Sequence, residues 1–220
     1  MKKRPIKTMM RTLFPSLFIL ARGMKLLFSE KSFLVKSGYV ESIKTRRPCT
    51  KGGNPLPWMN YQVIHFLNDR LHKGLEMFEY GSGYSTAYYA ERAGAITSVE
   101  HHKGWFDIVE QTKPDNATLL YRGLDDSGAY CNCSSSLDKA FDIVVVDGRE
   151  RVKCMESALK SLKDGGVILL DDSLRGRYQS GIDLMLENGF RKLEFLGLKP
   201  GGLGAHQTTI FYKDNNCLKL

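Results

Sequence analysis

From Leu75 onward, short apolar runs alternate with helix-like segments in this 220-residue sequence. Successive parallel strands must be joined by a crossover that returns over the sheet, and this crossover is usually a helix. The alternation therefore predicts an α/β fold with a parallel sheet and helices on both faces. The five predicted strands are Leu75 to Tyr80, Ala95 to Glu100, Ala117 to Tyr121, Phe141 to Asp147 and Val167 to Asp171.

Two further strand-like runs, Phe190 to Leu196 and Gln207 to Lys213, follow near the end of the chain. A stretch containing glycine and proline joins them without a crossover helix, so we expect an antiparallel arrangement. The sequence thus predicts a Rossmann-like open sheet, mostly parallel, with one antiparallel strand near the C-terminus. Before the first strand, apolar residues at helical spacing predict an amphipathic helix from Asn60 to Lys73, ended by Gly74.

The net charge of +8 is confined to the first fifty residues. Residues 1–50 contain 12 Lys and Arg against 2 Asp and Glu, or +10, whereas residues 51–220 contain 20 against 22, or −2. We therefore predict a basic amphipathic N-terminal arm (1–50) followed by a nearly neutral cofactor-binding domain (51–220).

The arm contains an apolar run from Leu13 to Ala21, after which Arg22 and Lys25 interrupt it. This run is shorter than the roughly 20 apolar residues of a spanning helix. A secretory signal peptide is less favoured than the interpretations below, because no small-residue cleavage pattern follows Ala21. One interpretation is a helix lying on an anionic membrane, with its cations at lipid phosphates. The equally supported alternative is a helix packed on the body or a disordered tail. Nucleic acid is a less favoured partner of the arm than an anionic membrane.

The chain has five cysteines, an odd number, and lacks the appearance of a small disulfide scaffold. Reduced thiols in a cytoplasmic protein are therefore expected. The basic arm adds a peripheral position at the inner membrane surface as an alternative location.

A glycine-containing turn follows the first predicted strand, where open α/β sheets bind ligands. Gly81 and Gly83 allow a tight turn and a close backbone approach to a ligand. Thr86 replaces the third glycine of a dinucleotide-binding motif and would crowd a pyrophosphate. Glu100 ends the next strand, where a carboxylate can accept hydrogen bonds from ribose hydroxyls, and Glu79 adds a second acid. These acids suit the cationic S-adenosylmethionine better than a dinucleotide.

Four motifs resemble the class I S-adenosylmethionine-dependent methyltransferases: E-x-G-x-G from Glu79, S-V-E ending at Glu100, V-V-D-G around Asp147, and G-G-V-I-L-L-D-D ending at Asp172. The resemblance covers residues 75–213. It implies that the glycine turn contacts the methionine end, that Glu100 contacts the ribose, and that His101 or a neighbour contacts the adenine. Such enzymes often cover the adenine where this chain has Leu124 to Asp126, which matches no motif well. The predicted cofactor-binding residues are Glu79, Tyr80, Gly81, Ser82, Gly83, Ser85, Thr86, Glu100, His101 and Asp147.

Asp147 ends the fourth predicted strand, and Asp171 and Asp172 end the fifth, so all three should lie at the sheet edge that carries the glycine turn. We predict that they are catalytic. The arrangement is similar to the catechol O-methyltransferase-like enzymes, in which such acids hold a divalent cation, and this implies Mg²⁺. The second acid of the pair is Asp172, where those enzymes often have Asn. The alternative is therefore that these acids serve as a general base instead of holding a cation. Asp171 or Asp172 is also well placed to cap the next helix.

Basic and aromatic residues surround the same predicted edge. Arginines beside Asp147 and Asp172 either neutralise these acids or bind an anionic substrate such as a phosphate or uronate. Trp58 and Tyr61 form either a wall of the acceptor pocket or a loop over the core. The predicted substrate-binding residues are Trp58, Tyr61, Arg149, Arg151, Arg175 and Tyr178.

The sequence Asp147-Gly148-Arg149 replaces the Asn or Asp, two prolines and an aromatic that base-modifying amino methyltransferases usually place after the fourth strand. We therefore expect O-methylation of a small-molecule or sugar hydroxyl. A nicotinamide-dependent oxidoreductase is one alternative. The other is a non-catalytic cofactor-binding protein that docks on membrane or RNA through its arm.

Overall fold

The structure of the protein is a computed structural model that describes residues 6–124 and 127–220. Seven strands form one sheet in the order β3-β2-β1-β4-β5-β7-β6. Neighbouring strands from β3 to β5 are parallel, and β7 is antiparallel to both β5 and β6. The predicted Rossmann-like sheet with one antiparallel strand is confirmed. The strands are β1 (Glu76–Tyr80), β2 (Ala95–Glu100), β3 (Ala117–Tyr121), β4 (Phe141–Val146), β5 (Leu162–Asp171), β6 (Arg191–Leu198) and β7 (Ala205–Tyr212).

Helices cover the sheet and precede it in the chain. The helices are α1 (Ile6–Leu13), α2 (Pro15–Phe28), α3 (Phe33–Lys36), α4 (Tyr39–Thr45), α5 (Tyr61–Asn68), α6 (Tyr84–Arg92), α7 (Lys103–Glu110), α8 (Cys133–Ser136), α9 (Arg151–Ser161) and α10 (Gln179–Glu187). None of the described helices combines the length and the apolar character needed to cross a membrane.

The apolar core lies on both faces of the sheet. In β4, Ile143 and Val145 belong to the apolar cluster on one face, whereas Val144 and Val146 belong to the cluster on the other face. All four are fully buried, and burying each such side chain contributes about 1.5–3 kcal/mol. Helices on both faces explain why residues 143–146 of β4 form a continuous apolar run instead of an alternating one.

Two predicted elements differ from the structure by five residues at one end. The helix predicted from Asn60 to Lys73 spans only Tyr61–Asn68, because the chain must turn before it enters β1. Asn60 caps this helix by accepting a hydrogen bond from the Val63 N–H at 3.0 Å. Strand β5 begins at Leu162, five residues before the predicted start at Val167, since Leu162 already pairs with Phe141 ahead of a register shift.

The second half of the predicted arm contacts the body. Tyr39 and Cys49 are buried, and the Tyr39 hydroxyl donates to the Gly202 carbonyl at 2.8 Å. In contrast, none of the residues of α2 is buried. The region from α3 to Cys49 therefore packs on the body, whereas α2 presents its apolar side chains to solvent.

Candidate functional site

The turn after β1 has the backbone conformation that its two glycines allow. Gly81 and Gly83 have φ angles of 93° and 150°, values that side-chain-bearing residues rarely adopt. A Cβ atom on Gly83 would also lie 3.2 Å from the Trp105 ring. Residues with side chains at these positions would strain the turn and crowd the neighbouring elements.

Glu100 is oriented by four hydrogen bonds from its surroundings. One carboxylate oxygen accepts from the backbone N–H and the hydroxyl of Ser82, at 3.1 and 3.2 Å. The other oxygen accepts from the backbone N–H groups of His101 and His102, at 2.9 and 2.8 Å. The carboxylate is thus fixed beside the glycine turn, and a ligand hydroxyl can replace the Ser82 hydroxyl without leaving a backbone N–H unpaired.

A groove of about 420 Å³ brings these groups together at the carboxyl ends of β1, β2 and β4. Such an edge is where open α/β sheets bind nucleotide-like ligands. The groove is lined by Gly81, Ser82, Glu100, His101, His102, Trp105, Asp147, Gly148, Arg149 and Arg151. The predicted meeting of the glycine turn, Glu100 and Asp147 is present in the structure.

Three of the predicted cofactor contacts lie beneath the turn instead of in the groove. The side chains of Glu79, Tyr80 and Thr86 are buried, because they connect β1 and α6 to the rest of the core. Glu79 accepts hydrogen bonds from the hydroxyls of Thr86 and Ser98, at 2.7 and 2.8 Å. The Thr86 hydroxyl in turn accepts from the Gly83 N–H at 3.0 Å. These residues support the turn.

Burial also changes the protonation of Glu79. It raises the pKa of this carboxyl to about 7, against the opposing hydrogen bonds from Ser85, Thr86 and Ser98. Ser85, a predicted cofactor contact, thus hydrogen-bonds to Glu79 beneath the turn, and its contact with the cofactor stays a prediction.

His101 lies in the groove as expected and packs against a tyrosine that the motifs did not indicate. Its ring centroid is 5.7 Å from that of Tyr130. Its Nδ1 atom is 3.0 Å from the Glu100 carboxylate but has no hydrogen bond of acceptable geometry among the described residues. The ring is thus held at the groove wall, with its Nδ1 atom buried against the Glu100 carboxylate. Of the segment Leu124 to Asp126, residues 125 and 126 lie outside the described residues.

Arg151 connects the ends of β4 and β5. Its guanidinium donates to the carbonyls of Gly148, Asp147 and Asp171, and it pairs with the Asp147 carboxylate at 2.8 Å. Burial and the Asp171 carboxylate raise the pKa of Asp147, against the opposing charge of Arg151. The positive charge of Arg151 thus offsets part of the effect of burial on Asp147, and Arg151 positions this acid instead of being free for the predicted contact with a substrate.

A second ionic cluster lies at the end of β5. Lys199 is 2.6 Å from Asp171 and 2.8 Å from Asp172, and Thr208 donates to Asp171 at 2.8 Å. Asp172 also contacts Arg175 and lies 2.9 Å from Nδ1 of His206. The cations neutralise both acids, and neither carboxylate accepts a backbone N–H of the described helices, so the predicted helix cap is not formed.

The carboxylates do not form a metal site in this arrangement. Among residues 6–124 and 127–220, no group of three or more His, Cys, Asp and Glu side chains could hold a metal ion. The reason is the neighbouring cations: Arg151 pairs with Asp147, and Lys199 lies between Asp171 and Asp172. A divalent cation would have to displace buried ammonium and guanidinium groups, so the donor set does not fit the predicted Mg²⁺.

The other predicted substrate residues divide into two groups. Arg149, Arg175 and Tyr178 line a second depression next to the groove, as expected for residues at the mouth of a site. Trp58 instead donates to the Pro200 carbonyl at 3.1 Å, and Tyr61 is buried with its ring against Phe33. These two aromatics attach the N-terminal region and the β6–β7 connection to the body, which is the core-covering alternative.

Besides Tyr130, sequence reasoning missed four other residues at or near the site. Trp105 donates from its indole to the Ser82 carbonyl at 2.8 Å, and Gly148 packs against Gly81. His206 lies in β7, which begins at Ala205, two residues before the predicted start at Gln207, and Lys199 contacts Asp171, 28 residues earlier in the chain. Only Gly148 lay within a recognised motif. The others depend on contacts between elements that are distant in the sequence, which no local pattern reveals.

Solved structures with a similar fold are known, although no family model and no curated protein matches the sequence. An rRNA methylase from Streptococcus thermophilus has a TM-score of 0.50 at 14% identity, over 70% of this chain and 95% of that one. Precorrin 8W decarboxylase from Methanobacterium thermoautotrophicum has a TM-score of 0.53 at 18% identity, over 70% and 90%. Precorrin-6y C5,15-methyltransferase from Geobacter metallireducens has a TM-score of 0.52 at 14% identity, over 70% and 87%.

Together with the strand order, these likenesses define the fold class. The chain has the Rossmann-like fold found in S-adenosylmethionine-dependent methyltransferases. At identities below 20%, the likeness concerns the fold, and the substrate must be inferred from the chain's own residues.

Proposed function

We propose that this protein is an S-adenosylmethionine-dependent methyltransferase that acts on a hydroxyl group of a small molecule or sugar. The observation that carries the proposal is the Glu100 carboxylate, held 3.1 Å from the Ser82 N–H in the groove that also contains Gly81 and Asp147. A ribose diol can be recognised by Glu100, and a sulfonium and an ammonium group are attracted by the acids. A pyrophosphate would meet the same acids unfavourably.

The His206 and Asp172 pair is our candidate for the general base. Burial opposes ionisation of Asp172, but hydrogen bonds from Lys199 and His206 lower the pKa of this carboxyl to about 2. The ionised carboxylate can only accept a hydrogen bond, so Nδ1 of His206 must carry the proton. In the neutral imidazole, Nε2 is then free to accept a proton from an acceptor hydroxyl.

The proposed reaction is an in-line displacement. S-adenosylmethionine, when bound, supplies an electrophilic methyl group on a sulfonium. The acceptor oxygen would form a bond to this methyl carbon as the carbon–sulfur bond breaks, with the electron pair left on sulfur. Nε2 of His206 would take up the acceptor proton. The protein's contribution is to position the reactants and remove the proton.

A ligand panel distinguishes this proposal from a nicotinamide-dependent oxidoreductase. We expect S-adenosylmethionine and S-adenosylhomocysteine to raise the melting temperature, and NADH to leave it unchanged, because only a ligand bound by the native state stabilises it. Stabilisation by NADH alone would contradict the assignment. Donor binding without methylation of any hydroxyl compound would favour the non-catalytic alternative.

RNA is the second acceptor class to test, because one of the structures with this fold is an rRNA methylase. Residues 51–220 have a net charge of −2, whereas RNA binding usually relies on clustered positive charge. We therefore favour a small acceptor. Transfer of a labelled methyl group to total RNA, with no transfer to phenolic or sugar hydroxyls, would reverse this choice.

We further propose that α1 and α2 dock on an anionic lipid surface. None of the residues of α2 is buried, and its exposed apolar side chains include Leu17, Leu20 and Leu27. The surrounding arm has a net charge of +10, which complements lipid phosphates. An amphipathic helix of this kind gains apolar burial and electrostatic attraction at the membrane interface together.

Vesicle sedimentation tests the docking proposal with a matched control. We expect the protein to bind phosphatidylserine-containing vesicles and not purely phosphatidylcholine vesicles. Leu20→Asp with Leu27→Asp should abolish binding, whereas Leu203→Asp, at an exposed position on the body, should not affect it. Equal binding by both variants would contradict insertion of α2.

A further inference from the structure

A second depression, of about 360 Å³, lies beside the groove that we assign to the methyl donor. Gly148, Arg149 and Arg151 line both cavities, so the two are contiguous. A group bound in this depression would therefore lie next to the donor. We call it the arginine pocket; it is lined by Gly148, Arg149, Glu150, Arg151, Val152, Lys153, Arg175, Arg177 and Tyr178.

The charge of the arginine pocket is strongly positive. Its lining contains four arginines and one lysine, against Glu150 as the single acid among its lining residues. Three of these cations are already paired. Arg151 contacts Asp147 and Asp171, and the pairs Lys153 with Glu150 and Arg175 with Asp172 account for the other two.

Of the five cations that line the pocket, Arg149 and Arg177 have no carboxylate partner among the residues that the structure describes. The Arg149 side chain is exposed. The Arg177 guanidinium donates to the Tyr178 hydroxyl at 2.9 Å and lies 5.0 Å from the centroid of the Tyr178 ring. Tyr178 itself is buried, so the aromatic ring supports Arg177 on the wall of the pocket.

We propose that the arginine pocket binds a phosphate group of the methyl acceptor. Two unpaired guanidiniums match the double negative charge of a phosphate monoester, and guanidinium donors pair bidentately with phosphate oxygens. The proposal rests on the proposed methyltransferase function, and it defines the acceptor as a phosphorylated small molecule. The cations are concentrated in one cavity on a body of charge −2, which does not resemble an extended track for a nucleic-acid backbone.

The test is a calorimetric titration of the full chain with inorganic phosphate. We expect saturable binding that Arg177→Gln, and more strongly Arg149→Gln with Arg177→Gln, weakens by about tenfold or more. The control variant is Lys160→Gln with Lys219→Gln, which removes the same charge at two other exposed positions. It should change phosphate affinity by less than about twofold, since a general charge effect on exposed groups is weak and screened.

Three outcomes would overturn the phosphate site: no saturable binding to the wild type, an equal loss of affinity in both double variants, or acetate binding as tightly as phosphate. Displacement of phosphate by a short RNA that binds more tightly through the same arginines would overturn the small-molecule assignment. S-adenosylhomocysteine uptake is measured separately on wild type and Arg177→Gln, because Arg177 lies outside the donor groove. If Arg177→Gln loses phosphate binding but still binds S-adenosylhomocysteine, the arginine pocket is identified as the phosphate site. If the wild type binds no S-adenosylhomocysteine, the donor proposal alone is refuted.

Discussion

At the scale of single residues, the glycine turn depends on a buried acid beneath it. Glu79 has a pKa of about 7 because of burial, compared with an ordinary value of 4.5. Its hydrogen bonds to the Thr86 and Ser98 hydroxyls hold α6 and β2 against β1. The folded state therefore binds a proton more tightly than the unfolded state does, and the contribution of Glu79 to stability is lost as pH rises through about 7.

We predict that Glu79→Gln flattens this pH dependence. The neutral amide resembles the protonated acid, so the variant should not lose the up to about 3 kcal/mol that the wild type loses between pH 4.5 and 8. Urea unfolding across this range measures the difference. Parallel stability curves for wild type and variant would show that Glu79 has an ordinary pKa.

His206 provides a second prediction at this scale. Because Asp172 is ionised and lies 2.9 Å from Nδ1, we expect the Nδ1–H tautomer to predominate when the imidazole is neutral. Nitrogen NMR of the histidine side chains at pH 8 reports the tautomer, and the resonances absent from His206→Gln assign it. A predominant Nε2–H tautomer would contradict the proposed base.

At the scale of elements, the connection from β4 to α9 brings the groove and the arginine pocket together. Gly148 sits in this connection, and a Cβ atom there would lie 1.9 Å from the Tyr130 hydroxyl. That hydroxyl accepts from the Arg149 N–H at 3.3 Å. The absence of a side chain at Gly148 thus lets the connection pack between β1 and Tyr130.

We predict that Gly148→Ala lowers the free energy of unfolding by about 2 kcal/mol, because overpacking a buried contact is costly. Tyr130→Phe removes the clashing oxygen, so the double variant should lose less than the sum of the two single changes. Gly176→Ala, with no neighbouring atom within 4 Å of the added Cβ, is the control. If the losses in free energy of unfolding were additive, the proposed clash between the added Cβ atom and the Tyr130 hydroxyl would be wrong.

The elements also show what the sequence could and could not predict. Strands β2 and β3 have the predicted bounds, because their apolar runs end at clear polar boundaries. The turn and Glu100 were found because they are local to β1 and β2. The pairings of Lys199 and His206 with Asp171 and Asp172 were not found, since they join residues 28 and 34 positions apart. The same pairings explain why three acids at one edge do not amount to a metal site.

At the scale of the whole molecule, the charge is divided between an arm of +10 and a body of −2. The body places a groove with acids at the end of the sheet and an adjoining pocket with unpaired arginines. We infer that the two cavities select oppositely charged parts of a reacting pair, a cationic methyl donor and an anionic acceptor. The arm would bring this site to a lipid surface.

The most direct test of the account is calorimetric titration of S-adenosylhomocysteine into wild type, Glu100→Ala and Glu110→Ala. Glu110 is an acid on α7 outside the groove, so its variant should bind as the wild type does. We expect one ligand to bind per chain, with an affinity weakened by about tenfold or more in Glu100→Ala because the ribose loses its carboxylate partner. Absence of uptake by the wild type, or equal affinities in all three proteins, would contradict the proposed donor site.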